Sequence, residues 1–193
     1  MEDPLEFALS LGLGVALASA CGFRVFVPLF VVGLANRTGH LELDSLQWLS
    51  SNTALICLGA ATLLETLAYF IPVVDNFLDT IATPAAAVAG TVLTFGMVSD
   101  VSPWLHWTLA MIAGGGSATV VQSSTVALRA GSTALTAGTA NPIIGAIETI
   151  GAIIMTILSL LLPPLGIILA IILLFIAFRS AFRYFKSRTL STA

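Results

Sequence analysis

The chain has 193 residues, of which 58% are hydrophobic and only 9% are charged, and its mean hydropathy is +1.04. This composition excludes an ordinary soluble domain, in which about a quarter of the residues are charged. The formal net charge is −3, whereas a nucleic-acid footprint needs Lys and Arg clustered on an exposed face, so no nucleic-acid partner is expected.

The apolar runs predict an all-α membrane protein with about six transmembrane segments. The runs are continuous and long enough for spanning helices, unlike the short alternating strands of a barrel. The first, residues 5–34, is interrupted by Gly22 and Pro28, which predicts either one broken, tilted helix or a re-entrant pair. An amphipathic interfacial insert at 36–51 follows, and the later segments are 52–72, 80–99, a segment beginning at 104, 142–162 and 165–182.

Arg24 lies inside the apolar stretch ASACGFRVFVPLFVVGL. Because an arginine at a helix centre costs about 2.5–3.5 kcal/mol on insertion scales, it is expected to face protein or trapped water rather than lipid. If a helix starts again near Gly22, its first backbone N–H groups are unpaired inside the protein and attract an anion. Arg24 then either binds an anion there or neutralises a buried glutamate.

Two glutamates, Glu65 and Glu148, lie within apolar segments. A carboxylate in hydrocarbon pairs with a cation, binds an ion or holds a proton. Both residues are therefore predicted to bind substrate or ion together with Arg24. The alternative is that they form internal pairs that only fix the packing.

A polar run, GGGSATVVQSSTVALRAGSTALTAGTANP, begins at residue 114. Its glycines predict a second break, and its amide and hydroxyl groups could line a polar path, although hydroxyls in membrane helices often bond their own backbone. The residues predicted here to contribute to the site, together with the backbone of Gly22, are Gly115, Gly116, Gln122 and Ser123.

The two halves of the chain contain similar local sequences. LLETLAYFIP matches AIETIGAIIM and aligns Glu65 with Glu148, while ACGFR matches GGGSA and aligns Gly22 with Gly116. We interpret residues 1–193 as one domain of two three-span repeats, about 4–100 and 103–182, of inverted topology with broken or re-entrant first helices. Such repeats are typical of transporters with a site at mid-membrane.

Asp75 and Asp79 are spaced to share a helix face, so they could bind a hard cation or lie on a solvated loop. A membrane metalloenzyme that uses Glu65 with these aspartates is the third hypothesis. No nucleophile elbow, HExxH, P-loop or dinucleotide fingerprint occurs in its proper context, so neither enzymatic activity nor a cofactor is expected.

Location and assembly follow from charge and residue size. The basic residues near the C-terminus predict a cytoplasmic tail at 183–193, and six spans return the N-terminus to the same side. A bacterial inner or plasma membrane is the expected location. The small residues at 85–90 suit close helix contacts, which suggests a homodimer.

The stretches SACGFRVFVPLFVVGLANRTGHLEL and LETLAYFIPVVDNFLDTIATPAAAVAGT resemble the bacterial and plant membrane family described as domain of unknown function 4126. The resemblance implies a multi-spanning membrane protein and no established activity or site residue. The leading hypothesis is a small transporter or channel for an ion or a proton-coupled solute in the lipid bilayer. The alternative is a non-transporting structural or accessory membrane protein.

Overall fold

The computed structural model describes the backbone of residues 3–68, 72–99 and 101–191, and their side chains except those of 72–77, 181 and 183–191. These ranges contain eight α-helices, a 3-10 helix (Asp44–Ser50) and a π-helical segment (Ala110–Gly115), and no strand, which confirms the all-α prediction. The α-helices are α1 (Pro4–Cys21), α2 (Phe26–Arg37), α3 (Asn52–Ala68), α4 (Pro72–Met97), α5 (Pro103–Leu109), α6 (Gly116–Thr136), α7 (Asn141–Leu161) and α8 (Pro163–Ser191).

Several of the described helices are suited to a membrane. Four stretches are long and apolar enough to cross it, and the 3-10 helix with α3, bent by 69°, would be a fifth span if the two are counted together. Six spans are not confirmed, because α2 has only 12 residues and α6 is rich in polar residues. The four stretches are Pro4–Cys21, Leu78–Met97, Asn141–Leu161 and Pro163–Ser180.

The first apolar segment is interrupted as predicted, between α1 and α2. Pro28, the third residue of α2, explains the interruption: it lacks an N–H to donate to the carbonyl of Arg24, and in a continuous helix its ring would collide with that carbonyl. Gly22 is the C-cap residue directly after α1, and α2 begins only at Phe26. The new helix therefore starts four residues later than predicted, and Arg24 lies in the connection.

The second predicted break, at residues 114–116, is wrong. The backbone is helical without interruption from Pro103 to Thr136, with the π-helical segment inside this stretch. Glycine is needed here for close packing: a Cβ at Gly115 would lie 2.6 Å from Oγ1 of Thr91 on α4. Gly114 and Gly115 allow the close approach of α4, and none of the three glycines ends the helix.

The solvated loop, one of the two alternatives for Asp75 and Asp79, is also wrong, because the backbone of both residues belongs to α4. Pro72 is the first residue of α4, a position where its missing N–H costs no helical hydrogen bond. The residues that follow continue the helix. Asp79 therefore reaches the interior from a helix and not from a loop.

Helices α1, α4 and α6 cross at small residues. A Cβ at Gly22 would lie 2.7 Å from the carbonyl oxygen of Ala118, and one at Gly90 would lie 2.8 Å from the carbonyl oxygen of Gly114. Such contacts require residues without large side chains. Part of the 85–90 face, which was expected to meet a second copy, therefore packs within the chain. The homodimer itself stays a prediction.

Candidate functional site

Arg24 is almost completely buried, with 1% of its surface exposed, and its guanidinium contacts one face of α7. Its Nε donates to Oγ1 of Thr149 at 2.8 Å and its Nη2 donates to the carbonyl oxygen of Gly145 at 2.6 Å. Its Nη1 lies 3.3 Å from Oε2 of Glu148. Since positions i, i+3 and i+4 share a helix face, three successive groups of α7 hold this one side chain.

Glu148 connects Arg24 to a second buried arginine. Nη1 of Arg129, on α6, lies 3.0 Å from the same Oε2 of Glu148 that Arg24 contacts. Nη2 of Arg129 also forms an ion pair with Oδ1 of Asp79 on α4. We call Arg24, Asp79, Arg129 and Glu148 the charge cluster. It joins α4, α6, α7 and the α1–α2 connection.

The carboxylate of Glu65 lies at the N-terminal end of α2. Its carboxylate accepts hydrogen bonds from the backbone N–H groups of Val25, at 2.8 Å, and Phe26, at 3.2 Å. The helix end that was predicted to attract an anion is thus occupied by a carboxylate of the same chain. Of the two glutamates proposed as partners for Arg24, the described contacts join Glu148 to its guanidinium and Glu65 to the amides that follow it.

Sequence reasoning assigned no role to Arg129, although a signal was present. Gln122, Thr125 and Arg129 are spaced three and four residues apart, which places them on one face of a helix, and all three are buried. The prediction placed a helix break at the glycines that begin this segment. Interpreted as a continuous helix, it has a polar face directed at the protein interior.

The polar run is divided between two faces of α6. The hydroxyls of Ser117 and Thr125 donate to carbonyl oxygens of their own helix, as the alternative interpretation expected. Nε2 of Gln122 is buried and has no hydrogen-bond partner among the described residues. Ser123 is exposed on the opposite side, so it does not join the charge cluster.

The predicted glycines differ in their surroundings. Gly22 and Gly115 are places of close helix contact, where an added Cβ would meet Val121 at 2.5 Å and Thr91 at 2.6 Å respectively. A Cβ at Gly116 would have no atom within 4 Å. Gly22 and Gly115 thus have a packing reason to be glycine, whereas Gly116 has none among the described residues.

The predicted cation ligands are only partly described. The carboxylate of Asp79 pairs with Arg129, so a guanidinium already occupies the position that a metal would need on that oxygen. The side chain of Asp75 lies outside the described residues. Within the described part of the chain, no group of three His, Cys, Asp or Glu residues is close enough to hold a metal ion.

An open cleft of about 490 Å³ lies at the insert between α2 and α3. It contains none of the residues of the charge cluster. Its walls include both charged and amide side chains, among them Asn36, Arg37, Glu42, Asp44 and Gln47.

Apolar helices of spanning length around a buried charge cluster suggest a membrane-embedded helical protein. Residues 11–183 match the family described as Domain of unknown function (DUF4126), and the chain belongs to this family. No curated protein and no solved structure matches the chain significantly.

Proposed function

We propose that the protein is a small membrane transporter or channel for an ion or a proton-coupled solute, with the charge cluster and Glu65 as its site. The observation that carries this proposal is the sharing of one buried carboxylate oxygen, Oε2 of Glu148, by two arginines from different parts of the chain. An ion that binds or protonates Glu148 would change the positions of both arginines together.

Stability alone is a weak reason for such a cluster. Burying ions costs several kcal/mol each, and replacing buried ion pairs by apolar residues of similar volume is often neutral or stabilises a protein by about 1–4 kcal/mol. Ionisable residues inside membrane helices are, by contrast, typical of ion pathways and proton relays. A transport role accounts for a cluster that packing does not require.

The charges of the site favour a cation or proton. Among the described contacts, Arg24 and Arg129 contribute two guanidiniums, while Asp79, Glu148 and the adjoining Glu65 contribute three carboxylates. These carboxylates are the groups of the site that can bind a proton or a cation. The buried Nε2 of Gln122, on the same helix as Arg129, is an additional donor for a polar solute.

The proposed function includes a specific arrangement of the helices in the membrane. We propose two inverted repeats that enclose the site, since α3 with Glu65 and α7 with Glu148 follow the Gly22 connection and the 114–116 glycines in the same order. By the positive-inside rule the basic C-terminal residues lie in the cytoplasm, and an even number of spans returns the N-terminus there. We also propose that the protein lies in a bacterial inner or plasma membrane and that it forms a homodimer.

The test is flux into proteoliposomes under an applied membrane potential, with an entrapped pH-sensitive dye for protons and a Na⁺-sensitive dye for Na⁺. We expect flux above that of protein-free vesicles for at least one of these ions, and a decrease of about tenfold or more in Glu148→Gln, as is typical when a required proton-transfer group is lost. Glu6→Gln is the matched control, because Glu6 is exposed in the first turn of α1. Wild-type flux equal to that of empty vesicles would contradict the proposal.

A structural or accessory role is the second candidate. It is favoured by the observation that each charged side chain of the cluster contacts an opposite charge within the chain. If this role is correct, Glu148→Gln lowers the stability of the protein, while neither the wild type nor the variant conducts ions across the membrane. Ion flux measured together with stability on the same preparations therefore separates the two candidates.

A further inference from the structure

We propose that Thr149 is a positioning residue that holds Arg24 against α7 and so sets the contact between Arg24 and Glu148. This inference deepens the proposed function, because Glu148 is the residue at the centre of the proposed site. Thr149 has no charge and is half-buried, and sequence reasoning gave it no role.

The orientation of the Thr149 hydroxyl suits this role. Its Oγ1 donates to the carbonyl oxygen of Gly145 at 2.9 Å, the residue one turn earlier on α7. Because this bond uses the hydroxyl proton, a lone pair of Oγ1 is left to accept from Nε of Arg24 at 2.8 Å. The carbonyl oxygen of Gly145 in turn accepts from Nη2 at 2.6 Å. Hydroxyl and carbonyl thus hold two edges of one planar guanidinium.

The hydrogen bonds at Nε and Nη2 of Arg24 determine where its third nitrogen, Nη1, lies. With Nε and Nη2 held, the rigid plane of the guanidinium directs Nη1 towards Oε2 of Glu148, at 3.3 Å. This is a longer contact than the 3.0 Å from Nη1 of Arg129 to the same oxygen. The hydroxyl therefore decides how strongly Arg24 competes with Arg129 for Glu148.

The charged groups around Glu148 come from several elements. Arg24 faces it from the α1–α2 connection and Arg129 from α6, while Asp79 on α4 acts on it through Arg129. Glu65 on α3 lies on the backbone amides that follow Arg24. If Thr149 no longer holds Arg24, Glu148 loses part of its positive surroundings.

Three variants isolate the hydroxyl. Thr149→Val removes it and keeps the shape, and Thr149→Ser restores it. Thr156→Val is the matched control, because Thr156 lies two turns further along α7 and its hydroxyl donates to the carbonyl oxygen of Ala152 in the same way. A general effect of losing a hydroxyl from α7 would appear in both valine variants.

The first measurement does not depend on transport. In protein with 15N-labelled arginine in lipid nanodiscs, the Nε–H resonance of Arg24 is assigned by its loss in Arg24→Lys. We expect Thr149→Val to accelerate solvent exchange of this proton by about tenfold or more, since a hydrogen-bonded proton exchanges only when its bond opens. In Thr149→Ser and Thr156→Val the rate should stay within about twofold of wild type. Unchanged exchange in Thr149→Val overturns the inference.

The second measurement is the rate of ion flux into the proteoliposomes. We expect Thr149→Val to lower this rate, whereas Thr149→Ser and Thr156→Val leave it unchanged. An unaltered flux in Thr149→Val would overturn the influence of Thr149 on Glu148. If the exchange rate changes and the wild type conducts nothing, Thr149 still positions Arg24 and the proposed function alone fails.

Discussion

The local sequence alignment pairs Glu65 with Glu148, and the structure gives the two carboxylates different partners. Glu65 binds two backbone amides at the start of α2. Glu148 binds two guanidiniums that come from elsewhere in the chain. Similar local sequence therefore produced one carboxylate that completes a helix end and another that joins distant helices.

The two positions differ because of what lies beside them. Pro28 stops the first helix from continuing, so the N–H groups of Val25 and Phe26 need an acceptor, and Glu65 supplies it. In the second half the helix runs through the aligned glycines, and no such end is present between Pro103 and Thr136. Glu148 meets side-chain cations instead.

The largest expected difference is in stability on losing the carboxylate charge. Glu148→Gln removes the carboxylate that lies 3.3 Å from Nη1 of Arg24, while Arg129 keeps its ion pair with Asp79. Breaking a buried pair in this way costs about 3–5 kcal/mol. The free energy of unfolding can be measured by SDS titration in mixed micelles. A loss below 1 kcal/mol would mean that Glu148 is not the principal partner of Arg24.

Gly22 and Gly116, the second pair in the proposed repeat, should also differ. Gly22→Ala forces a Cβ to within 2.5 Å of Cβ of Val121 and should cost about 1–3 kcal/mol by overpacking. Gly116→Ala meets open space and should be neutral or stabilise the helix by about 0.5–1 kcal/mol. Equal losses in the same SDS titration would indicate that the two glycines are equivalent after all.

A smaller effect is expected for Glu65→Gln. Glutamine keeps one acceptor oxygen for an amide of α2 but loses the charge that favours the helix N-terminus, which should cost about 1–2 kcal/mol. The comparison of the two glutamates predicts that this loss is smaller than that of Glu148→Gln. Hydrogen exchange of the Val25 and Phe26 amides provides a local measurement, and both amides should exchange faster in the variant.

Much of the fold could be predicted because it depends on local sequence. The length of the apolar runs was enough to predict α7 and α8, and Pro28 was enough to predict the interruption of the first segment. The helical course of residues 103–136 was missed because glycines usually weaken helices. The close approach of α4 explains two of these glycines, Gly114 and Gly115. Helix contacts of this kind are not visible in the pattern of one segment.

The site was predicted in part for the same reason. A charge in an apolar segment identified Arg24, Glu65 and Glu148 as buried, and all three are. Their pairing was left open because it depends on which helices become neighbours. Arg129 was missed because its segment is polar, so an additional charge there did not stand out.

The most direct test of the transport proposal uses the double variant Arg24→Gln with Glu148→Gln. This variant removes a buried charge pair and leaves Arg129 with Asp79, so we expect most of the stability lost in Glu148→Gln to be regained. If the charge cluster is the transport site, ion flux into proteoliposomes stays at the level of empty vesicles although the protein is stable again. Flux that returns to the wild-type rate together with stability would contradict a role of these charges in transport.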